Sequence, residues 1–405
     1  MSDSASQFKL PLRLVGHPQN YSWGKVGKAS RIAPFLEGEV ADEPLAEYWL
    51  GCHPKAPAQV ILDDGSRLSI NDILSSSASL PFMLKVLSIN PHFGLSIQSH
   101  PDTIRARELH ARDFKNYPDP FHKPEVGVAL SEVKLVYDIK SPENLRDVIC
   151  RYPELAGLLS KDTKDLLEQG GCGDEGASTA LRRGVFVDCI SADPPRVEAE
   201  ISKILARFNA GSCREIPDEI LIIRRLSGAY GRGDPGLPAL LVMNLINLQP
   251  GEAIFIGPNI PHAYLDGDLV ECMACSDNVI RAGLTSKYRD VSTLVSTTDF
   301  VYKREPQFVE AREMLNGSTE FSLPVNEFKL SMIRPDLDGV RLETQFGHSV
   351  VFCVGGRAVL WDRVSGYRSV LTDGSAVLVP MGYANLEIST EEAQVFVAQA
   401  REARI

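Results

Sequence analysis

The sequence predicts a mainly β protein interrupted by one helical insertion, and three textures along its 405 residues carry that reading. The N-terminal third is made of short apolar runs broken by Gly, Pro and Asp, as in strands joined by turns. From about Ser141 to Arg225, apolar residues recur every three or four positions with charges between them, the period of helices with one buried face. Beyond a linker rich in Gly, Pro and Asp, Gly228 to Pro238, strand texture resumes at Leu240-Leu241-Val242-Met243-Asn244-Leu245. A chain of this length exceeds what one hydrophobic core usually serves. The expected division is a discontinuous β unit over 8–140 and 238–325, the helical insertion over 141–237, and a second β unit over 326–405.

The formal net charge of -11 disfavours nucleic acid and anionic membrane surfaces as partners, since both repel the chain as a whole. An anionic small substrate would need a local basic pocket. No apolar stretch is long enough to span a bilayer, and Met1 to Gln7 lacks the charged and apolar regions of a signal peptide, so a cytoplasmic protein is expected. The cysteines Cys52, Cys150, Cys172, Cys189, Cys213, Cys272, Cys275 and Cys353 are irregularly spaced and do not read as a disulfide framework. Cys272-Met273-Ala274-Cys275 has the spacing of half a zinc site or a redox pair. No second pair matches it, and thiols on and beside a buried strand are expected.

Taken in order, Pro81 to Leu87 reads as a buried strand holding one lysine, Lys85, which either snorkels to the surface or lines a pocket. In Leu95-Ser96-Ile97-Gln98-Ser99-His100-Pro101, strand alternation puts Ser96, Gln98 and His100 on one face and Leu95 and Ile97 on the other. Pro124 disfavours helix at Lys123, and a further strand begins at Glu125 and runs through Val126-Gly127-Val128-Ala129-Leu130. Two neighbouring strands are thus expected to aim Gln98, His100 and Glu125 at one point. Helices are expected over Glu143 to Leu159, Thr163 to Gln169 and Pro195 to Phe208, the last opened by Asp193-Pro194-Pro195. This insertion is expected to shape access to the pocket and to supply no metal ligand. A fourth ligand has to come from far away in sequence, and the best candidate is His262, at the end of the stretch that starts at Pro250-Gly251. One carboxylate, one amide oxygen and two imidazoles suit a divalent first-row ion, with Zn2+, Fe2+ and Mn2+ all compatible.

Counting from Gly251, His262 falls where the second metal motif of the cupins has its histidine; Pro258 is displaced by one place, and Asn259 stands where that motif has Gly. Asn tolerates positive φ, so the turn is expected to survive. The usual His-x-His of a first cupin motif is here Gln98-x-His100. Near the C-terminus Gly374, Pro380 and Gly382 repeat the spacing, but Asn385 replaces the histidine. That segment reads as a second jelly roll without metal, in which Val350 to Trp361 fits paired strands around Gly355-Gly356.

Together with His122-Lys123-Pro124-Glu125, Pro261-His262-Ala263-Tyr264 and Ser276-Asp277-Asn278-Val279-Ile280-Arg281-Ala282-Gly283-Leu284-Thr285, these motifs resemble the type I phosphomannose isomerases, zinc enzymes of the cupin superfamily. Gln19 to Gly24 and Ala46 to Pro54 are also similar to that family, with Trp23 and Trp49 read as core or pocket wall and Glu47 and His53 as internal hydrogen-bonding groups. The resemblance implies a double cupin, two jelly-roll β-barrels plus an α-helical domain. It also implies one Zn2+ per chain on Gln98, His100, Glu125 and His262, and a phosphorylated hexose as substrate.

The implied activity is interconversion of mannose 6-phosphate and fructose 6-phosphate, serving the mannose branch of sugar-nucleotide and glycan synthesis. Proton transfer between C1 and C2 through an enediolate needs a base and a stabiliser of negative charge. Arg281 matches the family's active-site arginine, and Glu271, Lys123 or a metal-bound water is a candidate to carry the proton. Ser96, Lys85, Lys287 and Tyr264 are candidate substrate contacts. A basic pocket in an acidic monomer suits a sugar phosphate. Two alternatives are an Fe2+ cupin dioxygenase and a non-catalytic sugar-binding cupin. The first leaves Lys123 and Arg281 without a purpose, the second leaves the four ligands without one.

Overall fold

A computed structural model of the chain describes residues 10–74, 80–169, 174–209, 215–302, 308–344 and 347–401. The fold is mainly β with a helical region, and alternation along four strands decides how it packs. Glu47–Gly51, Phe82–Ile89, His262–Ala274 and Glu125–Ala129 lie side by side, with Trp49 opposite Lys85, Lys85 opposite Glu271, and Glu271 opposite Gly127. Partners directly opposite share a face. One face therefore carries Glu47, Trp49, Lys85, Glu271, Met273 and Glu125. The other carries Tyr48, Leu50, Phe82, Leu84, Val86, Val270, Cys272, Val126 and Val128, all buried in one apolar cluster with Phe328, Leu330, Phe352, Leu378 and Phe396.

Those last residues belong to a second, nine-stranded sheet that backs the first. This sheet is not confined to the C-terminal segment. Leu12–Val15 pairs with Ala376–Val379 on one side and with Gln59–Ile61 on the other, so strands from the first and last parts of the chain share it. A four-stranded sheet, with Arg357–Trp361 at its centre between Glu387–Glu391 and Arg368–Thr372, covers the other face. The hairpin expected around Gly355-Gly356 is replaced by a crossover. Ser349–Val354 pairs within the nine-stranded sheet and Arg357–Trp361 within the four-stranded one, so the two glycines carry the chain between facing sheets.

The long strand His262–Ala274 turns a corner at Gly267. Its first residues pair with Val133–Ile139, its later ones with Phe82–Ile89 and Glu125–Ala129. Gly267 has φ +109, and a Cβ there would meet the Glu132 carbonyl at 2.4 Å, so only glycine fits.

Helices occupy Pro142–Arg151, Lys161–Glu168, Glu175–Ser191, Pro194–Asn209, Asp218–Tyr230 and Gly236–Val242. The expected linker Gly228 to Pro238 is corrected. It contains the end of one helix, closed by Gly231 at φ +80, and the start of the next. Leu240-Leu241-Val242 is helical, and the strand begins at Met243. Every residue of Gly236–Val242 is buried, and a short run that is apolar all round has no period to separate helix from strand. Arg182, wholly buried on Glu175–Ser191, ties the helices to the β portion. Its guanidinium donates to the carbonyls of Ile139, Lys140 and Phe300 and to the Asp138 carboxylate at 2.8 Å. Among the described residues no helix is long and apolar enough to cross a membrane.

Candidate active site

His100, Glu125 and His262 come together at one end of the polar face. His100 Nε2 is 3.3 Å from Glu125 Oε1, and His262 Nε2 is 3.6 Å from Glu125 Oε2. One ligand atom from each of the three lies within 4.8 Å of the other two. The outer ring nitrogens are already committed: His100 Nδ1 faces the Asn278 carbonyl at 2.8 Å and His262 Nδ1 faces that of Ile260 at 2.9 Å. A neutral imidazole that donates from Nδ1 presents a lone pair at Nε2. Both Nε2 atoms are buried and without a hydrogen-bond partner. Burial pushes His100 down to about 4 against the pull of Glu125, so the ring is neutral, as ligation requires. Burial also opposes charge on Glu125, but the Lys123 ammonium at 3.0 Å holds its carboxyl well below the usual range. Two aimed lone pairs and an ionised carboxylate fit a divalent cation.

Strand register places Gln98 beside this group. It lies opposite His262 on one side and opposite Arg281 on the other, forming a row across three strands, and it lines the same cavity as Glu125. The strands of Gln98 and Glu125 are not neighbours, as the sequence suggested. Each pairs with His262–Ala274, and the long strand brings them together. His100 sits just beyond its strand, Ile97–Ser99, where its carbonyl accepts the Asn259 N–H at 2.7 Å. Asn259 has φ +65, which bears out the left-handed turn expected there.

The cavity measures about 480 Å³, and six cations line it: Lys55, Lys85, Lys115, Lys123, Arg281 and Lys287. Three are committed to carboxylates, Lys55 to Asp277 at 2.7 Å, Lys85 to Glu271 at 3.0 Å and Lys123 to Glu125. Lys85 therefore faces the pocket and does not snorkel. Burial lowers its pKa, but Glu47 and Glu271 outweigh that and keep it charged. Burial raises the Glu271 carboxyl, as does Glu125. Among the described residues Arg281, Lys287 and the exposed Lys115 have no carboxylate partner. Lys287 lies over the Tyr21 ring at 5.3 Å. Arg281 belongs to the strand Ile280–Gly283. Ser96 lines the cavity, as does Tyr264, whose buried hydroxyl has no partner.

His122 does not reach the site. It turns to Glu327 in the C-terminal segment, Nε2 to Oε1 2.6 Å. Trp23 and Trp49 are pocket wall, and Glu47 lines the pocket while hydrogen-bonded to Trp49. His53 is the internal group expected, 3.3 Å from Asp277. Sequence reasoning missed Asp277, Lys55 and Tyr21 as lining residues. Asp277 stood in a quoted motif without a role, and nothing local marked Lys55, which is brought in only by tertiary pairing. Tyr230, the last residue of helix Asp218–Tyr230, also lines the cavity.

A carboxylate between two lone-pair imidazoles, on the floor of a polar cavity with free cations at hand, defines a metal-dependent enzyme for a small anionic substrate. Residues 12–140 match the family model described as phosphomannose isomerase type I, catalytic domain. The chain is 36% identical over 327 residues to a probable mannose-6-phosphate isomerase of Caenorhabditis elegans, spanning 77% of this chain and 76% of that one. It is 34% identical over 353 residues to mannose-6-phosphate isomerase of Saccharomyces cerevisiae, spanning 78% and 81%. A mutant phosphomannose isomerase from Salmonella typhimurium superposes with a TM-score of 0.80 at 26% identity, covering 96% of this chain and 99% of that one. A mannose 6-phosphate isomerase bound with zinc and yttrium gives a TM-score of 0.79 at 26% identity, with the same coverage. The chain belongs to the type I phosphomannose isomerase family.

Proposed function

We propose that this enzyme interconverts mannose 6-phosphate and fructose 6-phosphate, with one Zn2+ per chain held by Gln98, His100, Glu125 and His262. The observation that carries the reading is the pair of buried, unpartnered Nε2 atoms facing Glu125, which itself lines a cavity that presents uncommitted cations. When bound, the ion would supply Lewis-acid polarisation of substrate oxygen. Everything else falls to side chains. Arg281, beside Gln98 in the strand register, is assigned the negative charge that develops on the enediolate oxygen. Glu271 is the better placed group to move the proton between C1 and C2, because burial makes its carboxylate more basic than an exposed one. Lys85 holds that carboxylate in place at 3.0 Å, and Lys123 does the same for Glu125. Lys287, without a carboxylate partner, is assigned the phosphate, while Ser96 and Tyr264 offer hydroxyls to the sugar.

The enzyme is assigned to a reducing compartment, the cytoplasm, on the free thiols of Cys52, Cys150, Cys189, Cys272, Cys275 and Cys353. It is assigned as a monomer. The test is a coupled assay on mannose 6-phosphate run beside elemental analysis. Turnover that disappears with chelation and returns with Zn2+ is expected. A protein that holds the metal and leaves mannose 6-phosphate untouched overturns the reading.

A further inference from the structure

We propose that Asp119 is a positioning residue for the ligand His100, acting through Asn278. The inference rests on the metal-centre reading above. Asp119 precedes the segment that carries Lys123 and Glu125, and it grips the segment that follows strand His262–Ala274. Its Oδ1 accepts Ser276 Oγ–H at 2.8 Å, its Oδ2 accepts the Asp277 N–H at 2.7 Å, and its carbonyl accepts Asn278 Nδ2–H at 2.7 Å. Asn278 Nδ2 also lies 3.1 Å from Asp119 Oδ1 and 2.9 Å from the Phe121 carbonyl. Three acceptors around one nitrogen settle the orientation of that amide, because the oxygen end cannot face them. Asn278 is fully buried.

The consequence lies at the other end of the same residue. The Asn278 carbonyl accepts His100 Nδ1–H at 2.8 Å, and this bond leaves the His100 lone pair on Nε2, toward Glu125. Outer partners of this kind fix both the tautomer and the ring angle of a ligating histidine. Asp119 thus clips together the segment bearing Glu125 and the segment that aims His100. It does so without touching either the ligand atoms or the cavity. The same clip sets Asp277, whose side chain receives Lys55 and His53 on the cavity wall, and it precedes Arg281 by one short turn.

The experiment measures Zn2+ affinity by chelator competition in the parent and in Asp119→Asn, with the melting of both metal-free proteins and the visible spectrum of both Co2+ forms. Asparagine keeps the shape but turns one oxygen into a donor facing donors. The expected result is a 10- to 100-fold loss of affinity, the range for removing an outer partner. An altered Co2+ band and little change in metal-free melting should accompany it. Asn278→Ala, which deletes the amide and keeps the carbonyl, should move affinity in the same direction. If the Asp119 variant does not fold, Ser276→Ala removes one donor at smaller cost and should show a lesser loss of the same sign. Parent-like affinity and spectrum in the folded variants overturn the proposal. A parent that binds no metal overturns the metal centre itself, a distinguishable outcome.

Discussion

Replacing Arg281 by alanine separates a role in the reaction from a role in the fold. Among the described residues the guanidinium has no carboxylate partner, and burial, which lowers its pKa, leaves an arginine charged. Truncation strands no buried carboxylate, so the stability loss should be about 1 kcal/mol or less. Backbone pairing of Arg281 with Gln98 is unaffected by the side chain. Turnover should fall much further. Losing one donor to a developing oxyanion costs on the order of 100-fold, or about 2.7 kcal/mol. The assay is kcat and KM on mannose 6-phosphate, beside a thermal melt and metal content. A fall in kcat at constant metal occupancy supports a contact that strengthens in the transition state. A raised KM with kcat preserved would make Arg281 a phosphate anchor. Near-parent kinetics in a folded, metal-loaded variant, or a collapsed melt, would refute the assignment. Arg281→Lys should recover only part of the loss, since an ammonium lacks the planar fork.

Elemental analysis should give about one equivalent of metal, lost in His262→Ala and kept in Asn385→Ala; two equivalents in the parent would contradict the single site. Gly127→Ala places a Cβ 2.4 Å from the Tyr264 hydroxyl and 2.9 Å from Leu269 Cδ1, so about 1–3 kcal/mol of overpacking is expected. Adding Tyr264→Phe should recover part of that, and no recovery would mean that Leu269 is the true obstacle. For Asp277, burial opposes charge but His53 and Lys55 prevail, holding its carboxyl well below the ordinary 3.8. A depressed folded pKa stabilises above the unfolded value and loses that stability as pH falls through the folded one. Asp277→Asn should therefore flatten the acid limb of the stability curve and leave its alkaline limb unchanged, as read by melts across pH. Arg182→Met should cost about 3–5 kcal/mol by leaving Asp138 and three carbonyls without their donor. Hydrogen exchange should show the loss in the helices 142–242, and uniform loosening of the sheets would argue against an anchor.

Where the sequence read well, the signal was local. His100, Glu125 and His262, which the fold brings together, each sat in a short motif whose strand alternation or turn chemistry was self-contained. Asn259 in a left-handed turn and Lys85 within a buried strand were legible for the same reason. The failures all needed distant information. Leu240-Leu241-Val242 has an apolar residue at every position, so only the surrounding helices decide its conformation. Whether Gly355-Gly356 turns a hairpin or crosses between sheets depends on which strands lie next to Val350 to Cys353, and these come from residues 376–379 and 394–399. Asp119 looked like an ordinary turn residue because its one local contact, with the Phe121 N–H, is that of a turn, while the four that grip Ser276, Asp277 and Asn278 lie more than 150 residues away.

The sharing of one sheet between the two ends of the chain follows from the chemistry of the pocket. A face that carries Glu47, Lys85, Glu271 and Glu125 buries apolar area only toward its Leu87, Ile89, Ala129 and Leu269 end, so the continuous apolar surface of its sheet is the other face. That face is Tyr48, Leu50, Phe82, Leu84, Val86, Val126, Val128, Val270 and Cys272. The nine-stranded sheet supplies Phe328, Leu330, Phe352, Leu378 and Phe396 against it, and Leu12–Val15 and Gln59–Ile61 extend the same backing. At about 1.5–3 kcal/mol for each large side chain fully buried, this interface offsets the cost of a charged floor. The C-terminal segment thus supports the site, and among its described residues none lines the cavity. A cavity-forming change such as Phe352→Ala should lower stability by about 3–5 kcal/mol while leaving metal affinity and KM near parent values at temperatures where the protein stays folded. Loss of metal affinity before any loss of fold would show that the backing sheet also sets the geometry of the ligands.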